Sequence, residues 1–168
     1  MIKRLLTLFT FCTLSLFCFS QNESIVKIGD QVPDFIIDKS IENQVHISNY
    51  KGNVILINFF ATWCGPCKLE MPFIENEVWE KYKNHKNFKL LSFGRGNSLD
   101  EVIKFKESNK LEFPIYPDKD KSIYNKFATI YIPRNYIIDT KGKIIYMSVG
   151  FNDKDFKEML TLLEKLLK

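Results

Sequence analysis

Val54-Ile55-Leu56-Ile57-Asn58-Phe59-Phe60-Ala61-Thr62-Trp63-Cys64-Gly65-Pro66-Cys67 is the stretch that decides the fold. Its first seven residues form a near-continuous apolar run, the pattern of a central strand covered on both faces. A helix follows: Pro66 suits a first helical turn, where its missing N–H would be an orphan anyway, and Met71, Ile74, Val78 and Tyr82 carry a periodic apolar face. That helix is expected to reach about Tyr82 with a kink at Pro72. Two cysteines therefore stand where a buried strand meets a helix. At the helix N-terminus, unpaired N–H groups and the positive end of the dipole favour a Cys64 thiolate. Cys67 falls about one turn further in, a spacing that lets the two sulfurs bond without unwinding the helix, while Pro66 stiffens the loop between them.

Outward from this unit, Phe88 to Phe93 predicts the next buried strand, and Ser98-Leu99-Asp100-Glu101 has the spacing of a capping box opening a helix with Val102, Ile103 and Phe105. Phe113 to Tyr116 reads as a short extended piece and Ser122 to Phe127 as a second short helix. Asn135 to Ile138 and Lys143 to Met147 form a hairpin turned at Asp139-Thr140-Lys141-Gly142. Asn152 or Asp153 caps a last amphipathic helix with Phe156, Met159, Leu160, Leu163 and Leu167 on one side. Before the core, Val32 to Ile37 and Val45 to Ile47 read as short strands and Tyr50 to Asn53 as a turn. The succession implies an α/β fold, a central mixed β-sheet with helices on both faces. One domain is expected over residues 32–168, preceded by a flexible tail over residues 21–31.

The composition of the 168 residues, 45% hydrophobic and 26% charged, suits one packed domain rather than a disordered chain. The formal charge is +4 with no long basic block, which argues against a nucleic-acid partner. Lys3 and Arg4 precede an uncharged run from Leu5 to Phe19, and Cys18 and Ser20 put small side chains three and one residues before Gln21. Residues 1–20 thus read as a secretory signal peptide, and the protein as exported, most naturally to a periplasm. An uncleaved anchor and lipidation at Cys12 or Cys18 are the alternatives. The apolar run is shorter than the roughly 20 residues a spanning helix needs, and Phe11 and Phe17 are bulky where a lipoprotein signal wants small residues. Cleavage would leave Cys64 and Cys67 as the only cysteines, in a compartment where a close pair can be oxidised or kept reduced. The Asn22-Glu23-Ser24 sequon is read as chance.

The strand, Trp63-Cys64-Gly65-Pro66-Cys67 and helix together resemble the thioredoxin superfamily. With the signal peptide, the N-terminal addition and an insert around residues 95–120, the chain resembles the secreted branch often called TlpA or ResA type. The resemblance covers about Val32 to Lys168. Tyr131-Ile132-Pro133-Arg134-Asn135-Tyr136-Ile137-Ile138-Asp139, then Gly142 and Lys143, is similar to that family's cis-proline loop and following hairpin. It implies that Pro133 is a cis residue facing the cysteines and that the Ile132 backbone pairs with an extended substrate segment. Trp63, with Gly65 and Pro66, is expected to shape the substrate groove. Glu70, three residues after Cys67 and on the same helix face, matches the Glu that follows the two cysteines in the secreted branch. It is expected to shift the pKa of Cys67 or relay its proton. Asn58 departs from cytosolic thioredoxins, which carry a buried Asp six residues before the first cysteine. An amide cannot accept a proton there, so Glu70 is the better acid–base group.

The function so implied is that of an exported thiol:disulfide oxidoreductase, with Cys64 attacking and Cys67 resolving. The resemblance favours reduction of client protein disulfides, with apocytochrome c cysteines among the clients and a membrane thiol carrier as electron source. No cofactor, metal or nucleic acid is expected, and the protein is expected to be a monomer. A structural zinc needs four ligands, and only His46 and His85 could join the two sulfurs. Two rivals are weaker on the residues. A peroxiredoxin-type thiol peroxidase is expected to carry Pro and Thr seven and three residues before its reactive Cys, where this chain has Ile57 and Ala61. A copper metallochaperone of this fold is associated with C-x-x-x-C and a late His, whereas this chain has C-x-x-C and no His after His85. Gly94-Arg95-Gly96-Asn97-Ser98-Leu99 lacks the third Gly of a dinucleotide loop and reads as a turn before a helix.

Overall fold

The computed structural model describes residues 23–40 and 43–168. The leader expected over residues 1–20, with Cys12 and Cys18, and the sequon residue Asn22 lie outside the described residues. Among the described residues no helix is long and apolar enough to cross a membrane.

A five-stranded sheet runs in the order β5-β4-β3-β6-β7, from β3 (Val54–Phe60), β4 (Phe88–Arg95), β5 (Ile115–Asp118), β6 (Arg134–Ile138) and β7 (Ile144–Val149). The β3, β4 and β5 strands are parallel, and β6 lies antiparallel to both β3 and β7. All seven residues of β3 are buried, as a strand with neighbours on both edges and layers on both faces requires. Its side chains alternate between two cores. Leu56 and Phe60 face the helices α1 (Gly65–Phe73), α3 (Leu99–Ser108) and α4 (Asp153–Leu166), against Met71, Val102, Phe105 and Phe156. Ile55, Ile57 and Phe59 face the other layer, built from short 3-10 turns at Ile47–Tyr50 and Tyr124–Lys126 and from N-terminal residues such as Val26 and Phe35. The Phe59 ring sits 5.1–5.6 Å from those of Phe127, Tyr124 and Phe93, an aromatic nest that anchors this second layer.

The mixed sheet is the expected one, and several elements differ from the expectation in detail. A separate two-stranded sheet pairs β1 (Ile36–Ser40) with β2 (Asn43–His46), so the first strand starts later than Val32 and Ile47 opens a 3-10 turn instead of ending a strand. The helix after the cysteines does not simply kink. Pro72 has no N–H to give, and a π-helical stretch Ile74–Trp79 follows before α2 (Glu80–Tyr82). The capping box at Ser98 is complete in both directions. The short helix expected over Ser122 to Phe127 shrinks to one 3-10 turn, because the Asp118 carboxylate accepts from Ile123 N and Tyr124 N and fixes a tight entry.

The flexible tail expected over residues 21–31 is corrected for its described part. Residues 23–31 are sewn to the domain: Ile25 N donates to Phe127 O at 2.9 Å, Thr129 N to Glu23 O at 3.0 Å, Gly29 N to Ile144 O at 2.8 Å, and Ile144 N to Asp30 O at 2.9 Å. Val26 is buried beneath them. Polarity suggested mobility, but backbone groups were available to pair, and a paired backbone holds a polar segment as firmly as an apolar one.

Candidate active site

Cys64 is the N-cap residue of α1 and Cys67 lies within its first turn. The two sulfurs are joined in a disulfide with Cα atoms 5.3 Å apart, so this is the oxidised form. Cys67 N–H donates to Cys64 Sγ at 3.2 Å, the bond that an N-cap oxygen would ordinarily accept. In the reduced form the same N–H and the helix dipole favour negative charge on Cys64. The pair is asymmetric. Cys67 is fully buried, whereas Cys64 retains 5% exposure and lines a cleft of about 360 Å³ with Trp63, Gly65, Pro66, Arg95, Tyr131 and Ile132.

The opposite wall comes from the loop entering β6. The Ile132–Pro133 peptide is cis, and the Ile132 carbonyl oxygen lies 3.8 Å from Cys64 Sγ. The preceding Tyr131 has φ 67°, a left-handed conformation that costs a bulky residue about 1–2 kcal/mol. What holds it there is a set of donors aimed at its carbonyl. Tyr124 Oη donates to Tyr131 O at 2.8 Å, and Arg134 Nε donates to both Ile130 O and Tyr131 O at 3.1 Å. The Arg134 side chain is fully buried and continues to Ser24 Oγ at 2.8 Å and Glu23 O at 3.2 Å. One guanidinium thus ties the N-terminal segment to the proline loop. Trp63 is 66% exposed and lines the cleft with Cys64.

Beneath the disulfide, the register of the sheet builds a polar row. Asn58 pairs with Ser92 across β3–β4 and with Asn135 across β3–β6. Ser92 Oγ donates to Asn58 Oδ1 at 2.8 Å, and Asn58 Nδ2 donates to Asn135 Oδ1 at 2.9 Å. Both amides also donate to Glu70: Asn58 Nδ2 to Oε2 at 3.0 Å and Asn135 Nδ2 to Oε1 at 2.6 Å. Glu70 is only 1% exposed, and it is no solvated helix charge. Burial pushes its carboxyl up from 4.5 to about 7, and the Asn135 and Asn58 hydrogen bonds hold back part of that rise. A carboxyl poised near neutrality one helical turn from a buried cysteine is equipped to exchange a proton with it.

The structure brings together Cys64, Cys67 and Glu70 with Trp63, Gly65, Pro66, Ile132 and Pro133, all selected from sequence. The sequence reading missed Arg95, Arg134, Tyr124 and the part played by Asn58 and Asn135. One signal was present. Asn58 is a polar residue inside an otherwise apolar strand, and such a residue needs buried partners.

Thioredoxin-fold enzymes that exchange thiols and disulfides are defined by this meeting of a helix head, a cis-proline loop and a mixed sheet, and this chain is one of them. It belongs to the Redoxin family, whose profile matches residues 27–163. The thiol-disulfide oxidoreductase ResA of Bacillus cereus is 31% identical over 137 residues, covering 82% of this chain and 78% of that protein. ResA of Bacillus subtilis is 28% identical over 132 residues, covering 79% of this chain and 72% of that protein. Among solved structures, a candidate protein disulfide isomerase from Bacteroides thetaiotaomicron superposes with a TM-score of 0.82 at 35% identity, covering 86% of this chain and 92% of its own. A candidate thiol:disulfide interchange protein DsbE from Chlorobium tepidum gives 0.71 at 27% identity, covering 85% and 99%.

Proposed function

We propose that this oxidoreductase works outside the cytosol as a reductant of client protein disulfides. The observation that carries the reading is the asymmetry of the pair: Cys64 caps the helix and opens on the cleft, whereas Cys67 is buried one helical turn from Glu70. The Cys64 thiolate attacks one sulfur of a client disulfide, the other client sulfur leaves as a thiolate, and a mixed disulfide joins client and enzyme. Cys67 then gives up its proton, with Glu70 as acceptor, and attacks Cys64 Sγ. The client leaves with both cysteines reduced, and the enzyme keeps the two-electron oxidised Cys64–Cys67 disulfide. The Ile132 backbone and Trp63, Gly65 and Pro66 hold the client chain in the cleft. A membrane thiol carrier restores the dithiol, and cytochrome c precursors awaiting haem attachment are a fitting client class.

Insulin reduction with dithiothreitol as electron donor tests the scheme. Cys64→Ser is expected to abolish turnover, and pre-reduced Cys67→Ser, mixed with client in the absence of dithiothreitol, to accumulate an adduct that later addition of dithiothreitol releases. Normal turnover by either variant refutes the assignment. Glu70→Gln is expected to slow resolution and to move the Cys67 pKa, and unchanged cysteine pKa values would remove Glu70 from the mechanism. The reduction potential sets the direction: a value near roughly −270 mV fits a reductant, and one near roughly −120 mV would make the protein a disulfide donor.

A further inference from the structure

Arg95, the last residue of β4, is the only charged side chain lining the cleft at Cys64 among the described residues. Its guanidinium carbon lies 4.5 Å from the centroid of the Tyr124 ring. No carboxylate forms an ion pair with it among the described residues, and its Nε is buried without a hydrogen-bond partner. Asp118, opposite Arg95 across the β4–β5 ladder, has its carboxylate engaged by Ile123 N and Tyr124 N. The Asp118 carboxylate therefore acts on the Arg95 charge only through space, and the guanidinium is held in place over Tyr124 without an ion pair among the described residues.

The mounting is rigid. Gly96, with φ 73°, donates to Asp118 O at 2.8 Å, and Asn97 N donates to Gly94 O at 2.9 Å, closing a tight turn directly after Arg95. Asn97 also clasps Thr62, with Thr62 N donating to Oδ1 and Nδ2 donating to Thr62 Oγ1, each at 3.0 Å. Thr62 is the residue before Trp63, so the turn carrying Arg95 is hydrogen-bonded directly to the loop carrying Cys64. A planar cation stacked on an aromatic face and fixed beside a reactive sulfur is suited to recognise a carboxylate.

We propose that Arg95 is a specificity-determining residue, and that it selects client chains carrying an Asp or Glu beside the cysteine under attack. The proposal rests on the oxidoreductase reading above. It extends that reading from the sulfur chemistry to the sequence of the client.

The test uses three peptides, identical but for Glu, Gln or Lys flanking each cysteine of one internal disulfide. The reduced protein's rate on each is followed by stopped-flow tryptophan fluorescence at low and high salt. The Glu peptide is expected to react about fivefold faster than the Gln peptide at low salt, with the Lys peptide slowest and the spread narrowing as salt rises. Arg95→Gln should bring the Glu-to-Gln ratio close to one, Arg95→Glu should invert it, and Lys165→Gln, at the far end of α4, should leave it as it was. Equal rates in the wild type, or a preference that survives Arg95→Gln, overturns the proposal. So does an Arg95→Gln protein that slows all three peptides alike while its Cys64 alkylation pKa rises, because the guanidinium would then act on the sulfur and not the client. Preference for oxidised glutathione over its ester, with the peptides indistinguishable, also overturns it. Binding of Ser-for-Cys peptides separates this failure from failure of the redox reading. Tighter binding of the Glu form that Arg95→Gln removes upholds the subsite even if no peptide is reduced.

Discussion

In the native fold the Glu70 carboxyl is pushed up to about 7, whereas the unfolded chain returns it to 4.5. Between those pH values the native protein holds a proton that the unfolded chain has released, so stability falls as pH rises through the window. About 2.5 pH units at about 1.4 kcal/mol each amount to about 3.5 kcal/mol, of which about 3 kcal/mol falls between pH 4.5 and pH 8. That stability is fully present below pH 4.5 and lost once pH has passed about 7. No discount for solvent applies to a carboxyl that is 1% exposed. Glu70→Gln removes the titration. Its amide keeps an acceptor for one of the two Asn donors and sets an N–H against the other, which costs about 1–2 kcal/mol at every pH and cancels from a difference between two pH values. The assay is urea unfolding of the disulfide form at pH 4.5 and pH 8, wild type against Glu70→Gln. The wild type should lose about 3 kcal/mol more between the two conditions than the variant does. Parallel losses in the two proteins would refute the reasoning, since the carboxyl would then titrate as an ordinary surface acid.

Asn135→Ala takes away the donor that most opposes the effect of burial, so Glu70 should hold its proton to higher pH, and the same two-condition assay should show the window moved upward. Arg134→Met removes five hydrogen bonds at once and should cost about 3 kcal/mol. Calorimetry should show a drop of about 10 °C in Tm, and hydrogen exchange at Ile25 should speed up as the N-terminal segment loosens. At Gly94 a Cβ would meet Val102 Cγ1 at 2.5 Å, so Gly94→Ala should destabilise by about 1–3 kcal/mol through overpacking, read as a lower urea midpoint.

Much of the fold was legible because its strongest signals are local. The apolar run of β3, the capping box at Ser98 and the Asp139–Gly142 turn each carry their geometry in adjacent residues, and all three stand as read. The two cysteines were equally legible, since strand, cysteine, proline and helix follow one another without interruption. What escaped depends on pairing across the sheet. Ser92, Asn58 and Asn135 stand 34 and 77 residues apart in the chain and meet only through register. Arg134 finds Ser24 across 110 residues. No periodicity announces either contact. The π-helical stretch after Pro72 was illegible for a different reason: a proline's missing N–H requires some departure from the α ladder, but the form it takes depends on packing on both sides.

Four consecutive residues show how tightly register binds this site together. The Ile132 carbonyl faces Cys64, Pro133 O accepts from Gly150 N at 2.9 Å, Arg134 turns toward Glu23 and Ser24, and Asn135 turns the other way toward Glu70. Neighbouring side chains of a strand point to opposite faces, so β6 delivers the clamp to one layer and the amide to the other in two successive residues. A slip of one residue against β3 would bury the guanidinium beneath the disulfide and leave Glu70 without its Asn135 donor. The alternation is what requires a buried Arg next to a buried Asn in a strand whose five residues are all buried. It also explains why Asn135 is satisfied by groups remote in sequence, and why Arg134 joins the nearby Ile130 and Tyr131 carbonyls to the remote Ser24 and Glu23. The proline loop, the N-terminal segment and the buried carboxyl are therefore set by a single register, and a substitution that disturbs it should be felt at all three.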